Sequence, residues 1–263
     1  MIMLSNGEVS GSWRSSDPVP ASLNDQRVLV MGGSSGIGAA SAALFARLGA
    51  EVVITGRDQE RLAETASAIG GKITARCLDG GSGEALAAFF ADGTTYDQLV
   101  LALSGGSGAG PFACLDLQAL RDGFDGKFWV HLKILQAALA SLARTGSVTF
   151  ITASSARAAV PGTAGLAAIN GALEAMVRPL ATELAPLRVN AVSPGIIATP
   201  WWDKMPARQR EEMFAEHAAA LPVGRVGQAE DVAQAVLLAA TNGFMTGQVI
   251  EVNGGLSLAT GRG

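Results

Sequence analysis

A run of glycines at residues 32–38, GGSSGIG, constrains the fold of this chain more than any other stretch of its sequence. It follows an apolar, β-branched stretch at 27–31 that predicts a strand, and it leads into an alanine-rich stretch at 37–48 that predicts a helix. Glycine is required where a turn needs a positive φ, or where the backbone must approach a phosphate without an intervening Cβ. The N-terminus of the following helix offers free N–H groups and a partial positive charge to phosphates. This strand–turn–helix context predicts a dinucleotide phosphate site formed by Gly32, Ser34, Ser35, Gly36, Ile37 and Gly38.

Strand-like and helix-like stretches alternate along the rest of the chain, which predicts βαβ units and therefore a parallel sheet. Predicted strands cover 51–54, 72–78, 98–103, 147–152, 188–192 and 249–252, and predicted helices cover 58–69, 84–90, 117–142 and 164–184. Right-handed crossovers place helices on both faces, so we expect one α/β domain of the doubly wound Rossmann type over residues 25–263. The first 24 residues, rich in Ser, Pro, Gly and Asn, are expected to form a flexible N-terminal extension.

The charge and the composition argue against several classes of function. A net charge of -4 with scattered Lys and Arg does not provide a nucleic-acid-binding surface. Two cysteines without a Cys-x-x-Cys pair make no disulfide framework, and two histidines are a poor basis for a metal site, so we predict no bound metal. No apolar run is long enough to span a bilayer and no signal-peptide layout is present, which predicts a cytoplasmic protein without a membrane partner.

The end of the second predicted strand distinguishes between the two nicotinamide dinucleotides. An acidic residue there would bind the ribose hydroxyls of NAD(H), whereas this chain has Thr55-Gly56-Arg57. The Arg57 guanidinium can pair with a 2′-phosphate, and the hydroxyls of Ser34 and Ser35 can add donors. The sequence therefore favours NADP(H). NAD(H) remains an alternative, because Arg57 can also be a solvated turn residue that contacts no phosphate.

Several motifs resemble those of the short-chain dehydrogenase/reductase family. Gly32-x-x-x-Gly36-x-Gly38 is similar to its cofactor turn, Asn190-Ala-Val-Ser-Pro-Gly195 to its nicotinamide-side loop, and Val252-Asn-Gly-Gly255 to part of its C-terminal pattern. The resemblance runs from about residue 26 to residue 257. It implies a seven-stranded parallel sheet and a homo-oligomer, either a tetramer or a dimer. It also implies a small-molecule substrate and hydride transfer between a nicotinamide and a carbonyl or alcohol.

The resemblance implies cofactor contacts beyond the glycine turn. Asp79, after the third predicted strand, matches the acid that contacts adenine in the family. Ser104 and Gly105 stand where the family has an Asn-Asn-Ala-Gly signature, which this chain lacks. In the nicotinamide-side loop, the matching positions are Pro194, Gly195, Ile197 and Thr199.

The family's catalytic Asn, Ser, Tyr and Lys are absent from the matching positions of this chain. Anchoring on Pro161-Gly162 places the tyrosine at Leu166 and the lysine at Asn170. The only tyrosine, Tyr96, lies before the fourth predicted strand, so no shift of register restores the motif. The family serine falls at Ala153, beside Ser154 and Ser155, and the family asparagine falls at Lys127.

Lys127 and Asn170 therefore present the family's amine and amide with their positions exchanged. If both side chains point inward, an ammonium is still available to the pocket from the opposite wall. In the alternative, Lys127 extends to solvent and Asn170 is a buried amide with local partners. The candidate catalytic residues are Lys127, Ser154 and Asn170, and Leu166 is expected to form an apolar wall beside the nicotinamide.

Two functions follow from these residues. The first is an NADP(H)-dependent oxidoreductase that acts on a small, apolar carbonyl, alcohol or activated double bond with non-standard catalytic residues. The second is a nucleotide-binding sensor or subunit that is catalytically silent. Trp201 and Trp202 either contact an apolar ligand or anchor the segment that covers it. His131, one helical turn after Lys127, is either a second acid or a packed helix residue.

Overall fold

The fold is a parallel sheet between two layers of helices, seen in a computed structural model that describes residues 22–258. The strands are β1 (Arg27–Met31), β2 (Glu51–Gly56), β3 (Ile73–Cys77), β4 (Tyr96–Leu101), β5 (Leu142–Ile151), β6 (Arg188–Pro194), β7 (Ile197–Ala198), β8 (Gly227–Gln228) and β9 (Val249–Val252). The main sheet has seven strands in the order β3-β2-β1-β4-β5-β6-β9, and the short strands β7 and β8 pair separately. Every pair is parallel. The expected doubly wound α/β fold with a seven-stranded parallel sheet is confirmed.

Helices cover both faces of this sheet. They are α1 (Gly36–Arg47), α2 (Gln59–Ile69), α3 (Gly83–Phe90), α4 (Leu117–Gly123), α5 (Val130–Ala138), α6 (Ala164–Glu183), α7 (Ala207–Ala220) and α8 (Ala229–Thr241). Val28 and Val30 of β1 pack in one core with α1 and α8, whereas Leu29 and Met31 pack in a second core with α5 and α6. Burial on both faces explains why the central strands are continuous apolar runs rather than alternating ones.

The single helix predicted over 117–142 is divided into segments. A π-helical turn, Phe124–Trp129, separates α4 from α5, and a 3-10 turn follows at Leu139–Ser141. Strand β5 then begins at Leu142, earlier than the predicted 147. At the end of α4, Gly123 has no Cβ to separate the helix from the Ser107 carbonyl, so the two backbones pack closely. π-helical turns are rare and occur often at functional sites, and this one carries Lys127.

Two helices were not predicted from the sequence pattern. Helix α7 has no buried residue, so its sequence shows no apolar stripe that would predict a helix. Helix α8 does carry a start signal, a capping box formed by Gln228 and Asp231. The expected extension 1–24 lies mostly outside the described residues, which begin at residue 22. Leu23, inside the expected extension, is buried in the core.

Between residues 22 and 258, no helix combines the length and the apolarity that crossing a membrane requires. The same part of the chain contains no group of three or more His, Cys, Asp or Glu side chains arranged to hold a metal ion.

Candidate nucleotide-binding and catalytic site

The candidate site lies at the carboxyl ends of the strands, where the chain reverses its direction of winding. Strand β1 has β2 on one side and β4 on the other, and the helices that follow β1 and β4 leave toward opposite faces of the sheet. In open α/β sheets, ligands bind in the crevice at this switch point. The glycine turn after β1 and the Ser104-Gly105 segment after β4 both lie there.

The glycine turn is enforced by contacts that leave no room for a side chain. Gly32 has a φ of 86°, and a Cβ on it would lie 2.7 Å from the Ala102 carbonyl oxygen. A Cβ on Gly33 would lie 2.7 Å from the Cβ of Ile54, and a Cβ on Gly38 would overlap with the Gly32 carbonyl oxygen. The turn is therefore defined by backbone packing.

The first turn of α1 points its amide groups toward the same crevice. Ser35 occupies the N-cap position, and its side chain makes no capping hydrogen bond. The amides at the start of the helix thus keep their capacity to bind an anion. Gly36 follows with a φ of 53°, and Ile37 packs against the core.

The residues predicted for the adenosine end lie at the ends of β2 and β3. Arg57 is exposed directly after β2, and within residues 22–258 its guanidinium has no ion-pair partner. The Ser34 hydroxyl lies beside Gly56, because a Cβ on that glycine would be 3.3 Å from Ser34 Oγ. Asp79 is exposed after β3, and its Oδ1 accepts a hydrogen bond of 2.9 Å from the Gly81 amide. Serine and arginine thus converge at one corner, where a phosphate would find donors.

The nicotinamide-side loop passes over the glycine turn. Pro194 ends β6, and the Gly195 amide donates to the Val252 carbonyl at 3.0 Å. Ile197 is buried in β7. Thr199 reaches α1, because a Cβ on Gly36 would lie 3.3 Å from the Thr199 Cβ.

The two tryptophans after this loop have different surroundings. Trp202 donates its indole N–H to the Ile197 carbonyl at 2.9 Å and packs edge-on against Phe214 of α7. Trp201 is 44% exposed and contacts Trp202 edge-on. Trp202 therefore anchors the segment, while Trp201 remains available to a ligand.

Lys127 is buried at the carboxyl end of β5. It is 8% exposed, and its Nζ donates to the Thr152 carbonyl at 3.2 Å. Gly105 permits this position, because a Cβ there would lie 3.2 Å from the Lys127 Cβ. Burial lowers the pKa of Lys127 to about 8, and the negative charge of Glu174 opposes that shift. The alternative in which Lys127 extends into solvent is wrong.

Leu166, Asn170 and Glu174 lie on one face of α6, spaced four residues apart. Asn170 is 4% exposed, and its Nδ2 donates to Ser155 Oγ at 3.2 Å and to the Leu166 carbonyl at 2.9 Å. Its Oδ1 is buried and has no hydrogen-bond partner among residues 22–258. A buried acceptor of this kind calls for a water or a ligand donor.

Lys127 and Asn170 are both buried here, but in the described part of the chain no hydrogen bond joins them. Ser154 is not brought to them, because its hydroxyl donates to the Ser193 carbonyl at 3.3 Å in the interior. The neighbouring Ser155 contacts Asn170 instead, because consecutive residues of the short 3-10 turn at Ser154–Ala156 point in different directions.

Sequence reasoning missed Thr152 and Glu174, which form the surroundings of Lys127. Thr152 supplies the carbonyl that Lys127 binds, and its hydroxyl donates to Glu174 Oε1 at 2.8 Å. The available signal was the four-residue spacing of Glu174 from Asn170 on the predicted helix. Nothing in the sequence pattern pointed to Thr152.

Neither His131 nor Tyr96 is placed to act as an acid in this site. His131 is fully buried between the carbonyls of Lys127 and Leu101, and burial lowers its pKa to about 4, so it is a neutral, packed side chain. Tyr96 is buried at the first residue of β4, and desolvation raises its pKa. At about 3.3 Å per strand residue, it lies roughly 17 Å from the carboxyl edge of the sheet.

Comparisons with known proteins found relatives in sequence and in fold. The family described as Enoyl-(Acyl carrier protein) reductase matches residues 32–257. A 3-oxoacyl-[acyl-carrier-protein] reductase FabG of Rickettsia prowazekii is 31% identical over 247 residues, covering 89% of this chain and 98% of that protein. A solved structure of a small-chain dehydrogenase in complex with NADPH is 33% identical with a TM-score of 0.77, covering 89% of this chain and 99% of the other. A short-chain type dehydrogenase/reductase from Mycobacterium ulcerans is 28% identical with a TM-score of 0.81, covering 91% and 92%.

Proposed function

The chain belongs to the short-chain dehydrogenase/reductase family, and from this we propose that it is an NADP(H)-dependent oxidoreductase that uses Lys127 in place of the family's tyrosine. Its substrate class is a small, apolar carbonyl, alcohol or activated double bond. The observation that carries the proposal is the buried Lys127 amine at the carboxyl end of β5, together with the buried Asn170 Oδ1, which has no hydrogen-bond partner among residues 22–258.

The support for NADP(H) comes from the residues around the glycine turn. Close backbone packing fixes the turn, because a Cβ on Gly32 or Gly38 would clash with the protein's own backbone, and the N-terminus of α1 follows this turn. Arg57 and Ser34 offer charge and hydroxyl donors to a 2′-phosphate. A dinucleotide fits these residues, and a similar dehydrogenase has been solved with NADPH bound. Asp79, Pro194, Ile197 and Thr199 are proposed as further contacts.

When bound, the nicotinamide supplies or accepts the hydride, and the protein supplies the proton. An amine with a pKa of about 8 is protonated in most molecules at pH 7 and can still release its proton. In the reductive direction, Lys127 Nζ gives a proton to the substrate oxygen as the carbonyl becomes an alcohol, and solvent then restores that proton. Asn170 Oδ1 accepts a hydrogen bond from a ligand hydroxyl. Ser155, held by Asn170 Nδ2, is the proposed serine of the site in place of Ser154.

The preference for an apolar substrate is supported by two side chains. Leu166 is half-buried on α6 where a hydroxyl would otherwise stand. Trp201 is partly exposed in the segment after Thr199, beside its anchored neighbour Trp202. An indole and an isobutyl group favour an apolar or aromatic ligand over a polar one.

A catalytically silent nucleotide-binding protein is the second candidate. Leu166 offers no hydroxyl, and the single tyrosine of the chain is buried at the opposite edge of the sheet. Under this candidate the glycine turn still binds nucleotide, and the buried Lys127 serves only to hold the ligand.

Oxidation of NADPH by the purified protein with a panel of carbonyl and enone substrates separates the two candidates. We expect turnover, and Lys127→Met should lower kcat by about 10²–10⁴-fold, the usual value of a general acid. Lys133→Met is the matched control, since Lys133 is an exposed lysine on the neighbouring α5, and it should leave the rate unchanged. NADPH binding without turnover on any substrate would establish the silent candidate.

We further propose that the protein is a homo-oligomer, a tetramer or a dimer, that works in the cytoplasm. Exposed apolar side chains at Trp129 and Phe244 support contacts between copies. Light scattering of the purified protein tests the assembly, and a monomer at micromolar concentration would contradict it.

A further inference from the structure

A carboxylate that sequence reasoning did not assign is buried beside the proposed proton donor. The Glu174 side chain is 7% exposed on α6, one turn beyond Asn170. Each of its oxygens has a donor: Thr152 Oγ1 lies 2.8 Å from Oε1, and Arg157 Nε lies 2.8 Å from Oε2. A buried carboxylate requires such partners, and these two fix its position.

Thr152 connects this carboxylate with Lys127. Its hydroxyl hydrogen-bonds Glu174, and its carbonyl accepts from Lys127 Nζ at 3.2 Å. Among residues 22–258 no ion pair joins the two charged groups directly, so Thr152 is the structural link between them. On its other side, Arg157 also reaches Glu251 of β9 at 3.5 Å. The Glu174 carboxylate is thereby held from the end of β5, from α6 and, through Arg157, from β9.

We propose that Glu174 is a positioning residue that acts through Thr152 to hold the Lys127 amine in the site and to keep it protonated. This inference rests on the proposed role of Lys127 as proton donor. Arg157 serves the same end, because it holds the carboxylate in the orientation that Thr152 needs.

Among the ionisable groups around Lys127, Glu174 supplies the negative charge in the interior. His131, one turn later, is buried and neutral because burial lowers its pKa to about 4. The segment after β4, from Leu101 to Gly105, carries no ionisable side chain, and α6 otherwise faces the site with Leu166 and Asn170. Asp125 on the π-helical turn is exposed to solvent. Arg157, beyond the end of β5, is neutralised by its two glutamates.

Glu174→Gln tests the proposal, because it keeps the shape and removes the charge. Without that charge the pKa of Lys127, already lowered by burial, falls further. The alkaline fall in kcat/KM for NADPH-dependent reduction should then move to lower pH by roughly one unit. Glu183→Gln, an exposed glutamate at the end of the same helix, is the matched control and should leave the profile in place.

A second readout needs neither cofactor nor turnover. Because the pKa of Lys127 is lowered in the folded protein, the unfolded chain holds this proton more tightly, and stability rises with pH above about 8. Urea unfolding between pH 7 and 11 should show this rise. It should begin at lower pH in Glu174→Gln, and Lys127→Met should lack it.

Thr152→Val and Thr152→Ser test the link itself. Valine removes the hydroxyl and should move both profiles in the direction of Glu174→Gln, whereas serine keeps the hydroxyl and should restore them. If Glu174→Gln leaves both profiles in place while Lys127→Met changes them, the role of Glu174 is overturned. If no substrate is turned over but the stability rise of the wild-type protein moves to lower pH in Glu174→Gln, the proposed function fails and the coupling of Glu174 to Lys127 stands on its own.

Discussion

Two regions of the molecule are built on different principles: the glycine turn after β1, and the proposed catalytic wall, which consists of Lys127 on the π-helical turn and Asn170 on α6. In the turn, the backbone is packed so closely that a Cβ on Gly32 would lie 2.7 Å from the Ala102 carbonyl oxygen. In the wall, buried polar groups keep unused capacity: Lys127 donates one hydrogen bond, and Asn170 Oδ1 receives none in the described part of the chain. The shape of the turn is fixed by backbone contacts, whereas the wall holds buried polar side chains with hydrogen-bonding capacity that a ligand can use.

This difference explains why the two regions tolerate change differently. A phosphate cradle made of backbone amides depends on steric exclusion, and no other residue type substitutes for glycine there. Proton transfer requires that an acidic side chain lie within hydrogen-bond reach of the reacting atom, and a side chain from either wall of the cleft can meet this requirement. This agrees with the glycine spacing at residues 32–38 and with the proposed exchange of amine and amide at Lys127 and Asn170.

The largest expected effect comes from adding a Cβ inside the glycine turn. In Gly38→Ala, the new Cβ would overlap the Gly32 carbonyl oxygen, so the turn must open. Loss of two charge-assisted hydrogen bonds, at about 1.5–3 kcal/mol each, should weaken NADPH binding by more than about 100-fold in calorimetric titration. Gly83→Ala, at the first residue of α3 with open space around it, is the control. Unchanged NADPH affinity in Gly38→Ala would show that close backbone packing does not maintain the nucleotide-binding turn.

The next effect concerns the cost of a buried amine in the wall. Since the pKa of Lys127 is lowered to about 8, its charge destabilises the fold at neutral pH. Replacing a buried charge by an apolar group of similar size is often stabilising, so Lys127→Met should raise the free energy of unfolding by about 1–3 kcal/mol at pH 7. The difference should narrow above pH 8, where the wild-type amine loses its proton. If Lys127→Met is less stable than the wild-type protein at pH 7, the buried amine stabilises the fold without a ligand, and this prediction is contradicted.

A third effect tests whether the nucleotide region discriminates between the two cofactors. Arg57→Ala removes a guanidinium at the end of β2, near Ser34. NADPH affinity should fall about tenfold, the low end for an exposed charge-assisted hydrogen bond, while NADH affinity stays unchanged. Arg208→Ala on α7, an exposed arginine far along the chain, should change neither. An equal loss for both cofactors would show that Arg57 supports the turn rather than the 2′-phosphate.

The sequence predicted the fold well because its signals are local. The β1–turn–α1 unit and the alternation of strands and helices follow from apolar runs and glycine spacing, and Asp58 caps α2 as expected. The π-helical turn was not predicted, because such turns are rare and the apolar pattern over 117–142 was interpreted as one continuous helix. Helix α7 was missed because it buries no residue.

The catalytic wall was predicted only in part, because its geometry depends on contacts between distant elements. The sequence placed Lys127 and Asn170 in the site by their register against a family pattern. It did not show that Ser154 turns toward Ser193 or that Ser155 faces Asn170, because those directions are set by the packing of the 3-10 turn on β6. Lys127 contacts Thr152 across 25 residues, and Thr152 contacts Glu174 across a further 22, and no local pattern records such separations.

The smallest effect contrasts one glycine of the wall with those of the turn. Gly171 lies inside α6, next to Asn170, and a Cβ on it would meet no atom within 4 Å. Alanine removes the conformational freedom that glycine has in the unfolded chain, so Gly171→Ala should stabilise the protein by about 0.5–1 kcal/mol. The midpoint of urea unfolding should therefore rise, while NADPH affinity and kcat stay at the wild-type values. If the substitution instead lowers kcat at unchanged stability, the α6 wall is as tightly constrained as the glycine turn. Side-chain exchange in the wall would then be limited by packing, just as substitution in the turn is.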